Sequence, residues 1–357
     1  MFKFLRFTVF AFLAVSLFSC DDDEPGLPAF PEEGFTNGVF VINEGNFGTP
    51  NGSISFYERD SMRVSSKIFQ TVNNKIVLGD VIQSVNIFDE KGFIVVNNSN
   101  RVEIVEAKTF KSLATLTNVR NPRYLTKVSE NQAYISNWGN FGSIPAYVSV
   151  LDLTTNTIID SIGNTSFTGL EEIAVKDGKA YVSNNFGSTI SVINVNTNTV
   201  EKHIKVFDTP KSVKLINNEI WVLCKGSSGV SFSDPNDDTQ GGLVRISTVS
   251  DTVEQTLPIG NIGQHPGIME TDGTSIFYTF DSKTYKMETT ASALPTSALI
   301  SSSFYGLGID SKTGNIFGGN ANGFTATGTV DIYNSTGTKL NTFQSVGIGP
   351  NGFVFVD

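Results

Sequence analysis

Residues 180–206 read AYVSNNFGSTISVINVNTNTVEKHIKV. An apolar run with one aromatic (180–183) gives way to an Asn/Gly cluster at 184–187. Residues 189–194 then alternate apolar and polar, 195–198 form a polar turn, and 199–206 are β-branched again. Period-two alternation broken by Asn, Gly and Thr clusters predicts short, half-buried antiparallel strands. The same unit recurs along the chain. Its aromatic, Tyr181, has counterparts in Phe40, Phe93, Tyr134, Trp221, Phe277 and Phe317, each within a short apolar run such as GVFVINEG, QAYISNWG or NEIWVLCKG. Spacings of about 40 to 56 residues suit one four-stranded blade plus a loop of variable length.

The next strand recurs at 53–57, 102–105, 147–151, 190–193, 243–246 and 330–333, and is degenerate in the sixth repeat, where only 284–287 qualifies. An outer strand follows, as at 157–162 and 252–257. The strand ahead of the aromatic is read at 81–87, 123–128, 171–175, 212–216, 267–270 and 306–309. The repeat containing Phe40 has no such strand, because Pro-rich sequence precedes it. Residues 349–356 (GPNGFVFV) fit the place, with Pro350 falling where Pro122, Pro210 and Pro266 fall in other repeats. The chain is therefore expected to be all-β, a seven-bladed β-propeller closed by pairing of the C-terminal strand with the N-terminal blade. Closure removes an unpaired sheet edge. Phe353 and Phe355 should face one side of that strand and Val354 and Val356 the other, all four buried.

Ahead of the repeats, residues 1–19 carry Lys3, Arg6 and an apolar run from Phe7 to Phe18, the form of a secretory signal. Leu17-Phe18-Ser19-Cys20 is similar to a bacterial lipobox, in which Cys20 is the lipidated residue; Phe18 departs from the small residue usual there, and an ordinary cleaved signal with an incidental Cys is the alternative reading. Asp21-Asp22-Asp23-Glu24 resembles the acidic export signal that carries lipoproteins of Bacteroidetes to the outer face of the outer membrane. A plain solvated acidic spacer is the alternative reading. Residues 20–34 form a lipidated, acidic, Pro-rich tether, and 35–357 the propeller.

Charge narrows the function classes. The chain holds 25 Lys+Arg and 35 Asp+Glu, a formal net charge of −10. Loss of Lys3 and Arg6 with the leader leaves 23 basic residues against 35 acidic ones, near −12. This balance argues against nucleic-acid binding, which needs basic patches. Cys224 lies in a strand and reads as a small core residue rather than a nucleophile or metal ligand. His203 reads as a surface residue on an outer strand. The chain shows no GxSxG elbow, HExxH, P-loop or Asp-box series, so no catalytic residue, metal site or cofactor is assigned. Asp234-Pro235-Asn236-Asp237-Asp238, in the longest loop, offers oxygens for calcium, but it lacks the Gly-and-Glu pattern of an EF-hand loop and reads first as a solvated loop.

The loops between second and third strands, and those between successive blades, reach one face of a propeller. The first kind carries Asn46 and Phe47, Trp138 and Phe141, Phe186, Phe232 and Phe324. The second carries Arg120, Arg123, Tyr124, Glu171, Glu172, Lys211, His265 and Tyr305. Aromatic plates with convergent polar groups suit a rigid, polar or sugar-like small molecule. Asn46, Phe47, Arg123, Tyr124, Trp138, Phe141, Phe186, Lys211, His265, Tyr305 and Phe324 are the candidate ligand-binding residues. Asn and Gly in such loops also serve tight turns through left-handed backbone geometry, and that reading stands beside the first.

The runs Val41-Ile42-Asn43-Glu44-Gly45-Asn46-Phe47, Gly52-Ser53-Ile54-Ser55-Phe56-Tyr57, Leu78-Gly79-Asp80-Val81-Ile82-Gln83-Ser84 and Val95-Val96-Asn97-Asn98-Ser99 resemble the surface propeller lipoproteins of Bacteroidetes related to the YncE/YVTN propellers. One branch of that group captures corrinoids for a TonB-dependent vitamin B12 transporter. The resemblance implies a non-enzymatic, outer-membrane, lipid-anchored protein that faces the cell exterior and passes a small molecule, corrinoid first, to such a transporter. It fixes no corrinoid contact to a residue. A lactonase- or hydrolase-type propeller enzyme, and a propeller that adheres to protein or glycan, are the alternatives. Replacing Cys20 by Ala should abolish lipidation and move the protein from the membrane to the soluble fraction on detergent phase partitioning; undiminished membrane recovery would refute the lipoprotein assignment.

Overall fold

The computed structural model describes residues 34–140, 142–229 and 236–357. The leader, Cys20, the acidic run at 21–24, most of the tether, Phe141, Phe232 and the Asp234–Pro235 part of the long loop lie outside the described residues. Seven antiparallel sheets follow one another in sequence, each built outward from a strand at the centre. The inner strands are Pro350–Val356, Ile82–Phe88, Pro122–Lys127, Leu170–Lys176, Pro210–Ile216, Met269–Thr271 and Gly306–Ile309. Each packs on the next, and the seventh packs on the first, so the ring is closed. The protein is a seven-bladed β-propeller. Among the described residues no helix is long and apolar enough to cross a membrane.

Each repeat aromatic does one job. Phe40, Phe93, Tyr134, Tyr181, Trp221, Phe277 and Phe317 are all 0–2% exposed, which assigns them to the core. Seven separate apolar clusters fill the seven wedges between neighbouring blades, and each wedge contains one of these rings. A tyrosine at this position keeps its hydroxyl paired at the outer end of the wedge. Tyr134 donates to Asn198 Oδ1 at 2.5 Å and Tyr181 to Asp251 Oδ1 at 2.6 Å, each in a turn of the following blade. Cys224 is fully buried in one wedge, where burial pushes its thiol pKa up, as befits an inert core thiol. His203 is half-buried rather than at the surface, with Nδ1 at 3.0 Å from Ser191 Oγ.

Two blades depart from four full strands. The sixth has three, and a single bridge between Thr284 and Ile300 stands where the outer strand would pair. The first ends in a two-residue strand, Val64–Ser65, followed by a short helix, Ile68–Val72, whose Ile68 and Phe69 plug the wedge against the second blade.

The C-terminal strand Pro350–Val356 pairs antiparallel with Gly38–Asn43, with Phe40 opposite Val354 and Val41 opposite Phe353. Val354 and Val356 pack toward the second blade, Phe353 and Phe355 toward the seventh. The alternation is as expected, but these four side chains are half-buried, not buried, because the inner strand borders the central channel as well as the wedges. Glycine makes room on the other side. A Cβ at Gly308 would meet Phe353 at 2.8 Å, and one at Gly319 the Pro350 carbonyl oxygen at 2.3 Å, so the seventh blade lies flush on the closing strand. Arg59 clasps the far end, donating to Val356 O at 2.6 Å and to Asp310 at 3.1 Å.

Deleting residues 349–357 removes this ladder and opens two wedges. Half-burial of four apolar side chains is worth roughly 3–6 kcal/mol, a large part of a typical net stability of about 5–15 kcal/mol. The truncated protein should be insoluble or melt far below the parent in a thermal scan. A soluble truncation with an unchanged melting temperature would show that the strand does not close the ring.

Candidate functional site

At the face where the inner strands begin, the channel widens into a cavity of about 630 Å³. A local irregularity places its side chains. On five inner strands the pairing register slips by one residue near the start. The slips fall around Gln83, Arg123-Tyr124, Glu171-Glu172, Lys211 and Asn351. A bulge leaves one residue unpaired and re-aims its side chain, and here it does so at one level of the ring. Five of the bulged residues other than Glu171 and Glu172 line the cavity, as does Glu172. A serine on the neighbouring strand satisfies the irregular backbone: Ser136 Oγ accepts from Tyr124 N at 3.1 Å, and Ser84 Oγ donates to Arg123 O at 2.8 Å.

The cavity wall is charged and highly connected. Arg123 donates from Nη2, at 2.8 Å, and from Nε, at 3.1 Å, to Glu171 Oε1. Its guanidinium carbon lies 4.0 Å from the centre of the Trp138 ring, a cation–π contact that fixes both planes. Burial pushes the Glu171 pKa up, against the pull of Arg123 and Lys211. Lys214 bridges Glu172 at 3.2 Å and Glu270 at 3.0 Å. Burial alone would lower the Lys214 pKa, but the two carboxylates raise it. Tyr305 donates its hydroxyl to Glu44, which also accepts from Asn351 Nδ2 at 3.4 Å. Burial raises the Glu44 pKa despite these donors. Tyr124 receives Gln83 Nε2 at 3.2 Å, and burial beside Glu171 and Glu172 raises its pKa.

The expected residues divide into four groups. Phe47, Arg123, Tyr124, Trp138, Lys211 and Tyr305 line the cavity. Phe47, 79% exposed, stands at its mouth. Asn46, Phe324 and Phe186 support the rim. Asn46 Nδ2 donates to Phe324 O at 2.9 Å, and Phe324 packs edge-on against Tyr305 with ring centres 4.9 Å apart. Phe186 lies 4.9 Å from Trp138 and borders a second, shallower hollow of about 350 Å³. His265 is not brought to the wall. Its Nδ1–H donates to Lys225 O at 2.8 Å and its Nε2 lies 3.1 Å from Ser228 Oγ, so the ring pins a loop beside the cavity. Phe141 lies outside the described residues.

Gln83, Lys214, Glu270 and Asn351 are wall residues that loop composition did not reveal, since they sit within or beside inner strands. Proline was the available signal: Arg123, Lys211 and Asn351 each follow directly on Pro122, Pro210 and Pro350. The loop asparagines also proved structural in part. Asn43, Asn137 and Asn184 are fully buried and donate to Ser55, Ser149 and Ser191 at 2.8–3.1 Å, forming a repeated polar pin inside three blades. Among the described residues no group of three or more His, Cys, Asp or Glu is placed to hold a metal ion.

Solved structures share the architecture. A quinonprotein alcohol dehydrogenase-like protein from Bacteroides thetaiotaomicron superposes with a TM-score of 0.69 at 15% identity, covering 91% of this chain and 80% of its own. A functionally unknown protein from Desulfotomaculum acetoxidans gives 0.65 at 12% identity, over 90% and 100%. The dihydro-heme d1 dehydrogenase NirN gives 0.54 at 9% identity, over 92% and 78%. At these identities the likeness is one of fold. No curated protein sequence matches the chain. A family model described as a domain of unknown function, DUF5074, matches residues 37–355, and the protein belongs to that family.

Proposed function

We propose that this propeller is a non-enzymatic binding protein that captures a small molecule in the cavity at the mouth of its channel. The carrying observation is the preorganised wall: bulges on five inner strands deliver polar and aromatic side chains to one level, most of them held by one another. A volume of about 630 Å³ falls within the range of roughly 300–1,000 Å³ usual for small-molecule sites. Trp138, Tyr305 and Phe47 supply flat apolar surface beside the convergent polar groups, and preorganisation lowers the entropic cost of binding.

The state of the carboxylates supports binding over hydrolysis. A general acid–base pair needs groups free to exchange protons with a substrate. Here Glu171 is held by Arg123, Glu172 and Glu270 by Lys214, and Glu44 by Tyr305 and Asn351. On this reading Cys20 anchors the domain to the outer membrane, the tether holds it off the outer surface, and a TonB-dependent transporter receives the ligand. By the family resemblance the first ligand to try is a corrinoid.

Isothermal titration with cyanocobalamin tests the reading. The parent should bind at a saturable single site. Phe47→Ala, at an exposed position that the fold does not need, together with Trp138→Leu, should weaken binding by about tenfold or more, as loss of about 1.4 kcal/mol or more of contact requires. No saturable heat with the parent would remove the corrinoid, and equal affinity in the double variant would remove the cavity as its site.

A further inference from the structure

The charges around the cavity are not all balanced locally. Arg123 and Lys214 are each paired with carboxylates at 2.8–3.2 Å. Lys211, on the bulge of the fifth blade and half-buried in the cavity wall, has no carboxylate within 4 Å and its ammonium donates to no protein group among the described residues. Lys225 stands beside it: its backbone N–H donates at 2.9 Å to Thr209 O, two residues before Lys211. It too is half-buried and unpaired among the described residues. Burial and the charge of Lys211 lower its pKa. Arg123 adds a third donor. Its Nε and Nη2 are committed to Glu171, and Nη1 donates to nothing within the described protein.

Unpaired, half-buried cations held near one another are costly unless a counter-charge arrives. Lys211 acts on Glu44 and Glu171 only at longer range, and in a protein of formal net charge −10 a cation without a direct partner inside a concave mouth favours an incoming anion.

We infer that the cavity takes a ligand bearing an oxyanion, a carboxylate or phosphate group, held by Lys211 with Arg123 Nη1 as a further donor, while Lys225, outside the cavity lining, adds positive charge beside Lys211. The inference rests on the capture reading and gives its ligand a chemical class. Such contacts are charge-assisted hydrogen bonds, among the stronger polar contacts a ligand can make.

The test compares melting temperatures of the propeller at fixed ionic strength as chloride is replaced by inorganic phosphate or, separately, by acetate. Binding to the folded state raises the melting temperature. Comparison with the Lys211→Gln/Lys225→Gln double variant cancels the general salt effect, and Lys75→Gln, at an exposed lysine, controls for loss of surface charge. The parent and the control should show a rise at least about twofold larger than the double variant. A larger response to phosphate assigns a phosphoryl group, and a larger response to acetate a carboxylate. Equal rises in parent and double variant overturn the inference. Cyanocobalamin titration separates this from failure of the capture reading. Unchanged cyanocobalamin binding in the double variant, with equal anion responses, overturns the oxyanion site alone. A lysine-dependent anion response without cyanocobalamin binding keeps the site and removes the corrinoid.

Discussion

The ladder between the last strand and the first blade is the constraint on which everything else depends. Inner strands in a propeller touch both neighbours, so an incomplete ring would leave apolar wedges open and one sheet edge unpaired. Pairing of Pro350–Val356 with Gly38–Asn43 closes both at once. Contacts from both ends of the chain converge on the seam: Ser55 Oγ donates to Ser345 O at 2.6 Å, Asn46 to Phe324 O at 2.9 Å, and Arg59 holds Asp310. Each of these seam contacts joins residues 251 to 290 positions apart along the chain.

Closure also makes the cavity. Seven inner strands arrive at one axis, and whatever stands at their first residues must share one small volume. Regular pairing there would leave alternate side chains pointing into wedges. The bulges around Gln83, Arg123, Glu171, Lys211 and Asn351 break that alternation where the strands enter. Polar residues are thereby turned toward the channel without exposing the apolar residues that follow. The rigid wedges, each with its buried aromatic, hold these positions still. A buried ionic network such as Lys214 with Glu172 and Glu270 contributes little net stability after desolvation, so its weight here lies in fixing the shape and charge of the wall.

Electrostatics divides the wall into two parts. One part is self-satisfied: Arg123 with Glu171, Lys214 with two glutamates, Tyr305 with Glu44. The other, at Lys211, acts on Glu44 and Glu171 at longer range and makes no direct ion pair among the described residues. Trp138 ties the first part to the rim, lying against Arg123 on one side and Phe186 on the other. That combination of a locked framework and a small open charge is what a binding site needs and a purely structural channel does not.

The sequence by itself determined the architecture. Repetition makes every local signal appear several times, so the aromatic of each second strand, the alternation, and the proline at 350 together specified blade number and closure even where the sixth blade had lost its outer strand. It also separated core from surface, since Trp221 and Tyr181 lie in apolar runs and Phe47 in a turn. Tertiary structure alone decided which polar residues share the cavity. Alternation predicts facing only while register is regular, and the bulges shift it by one residue, so Asn351 could be placed on a strand but not aimed. Glu270 and Lys214 meet Glu172 across three blades, a proximity set by the ring's curvature rather than by spacing along the chain. His265 shows the converse: its position at the start of a blade looked suited to the mouth, yet two hydrogen bonds to a neighbouring loop turn it to a structural task, because a ring nitrogen takes whatever partner the packed backbone brings within reach.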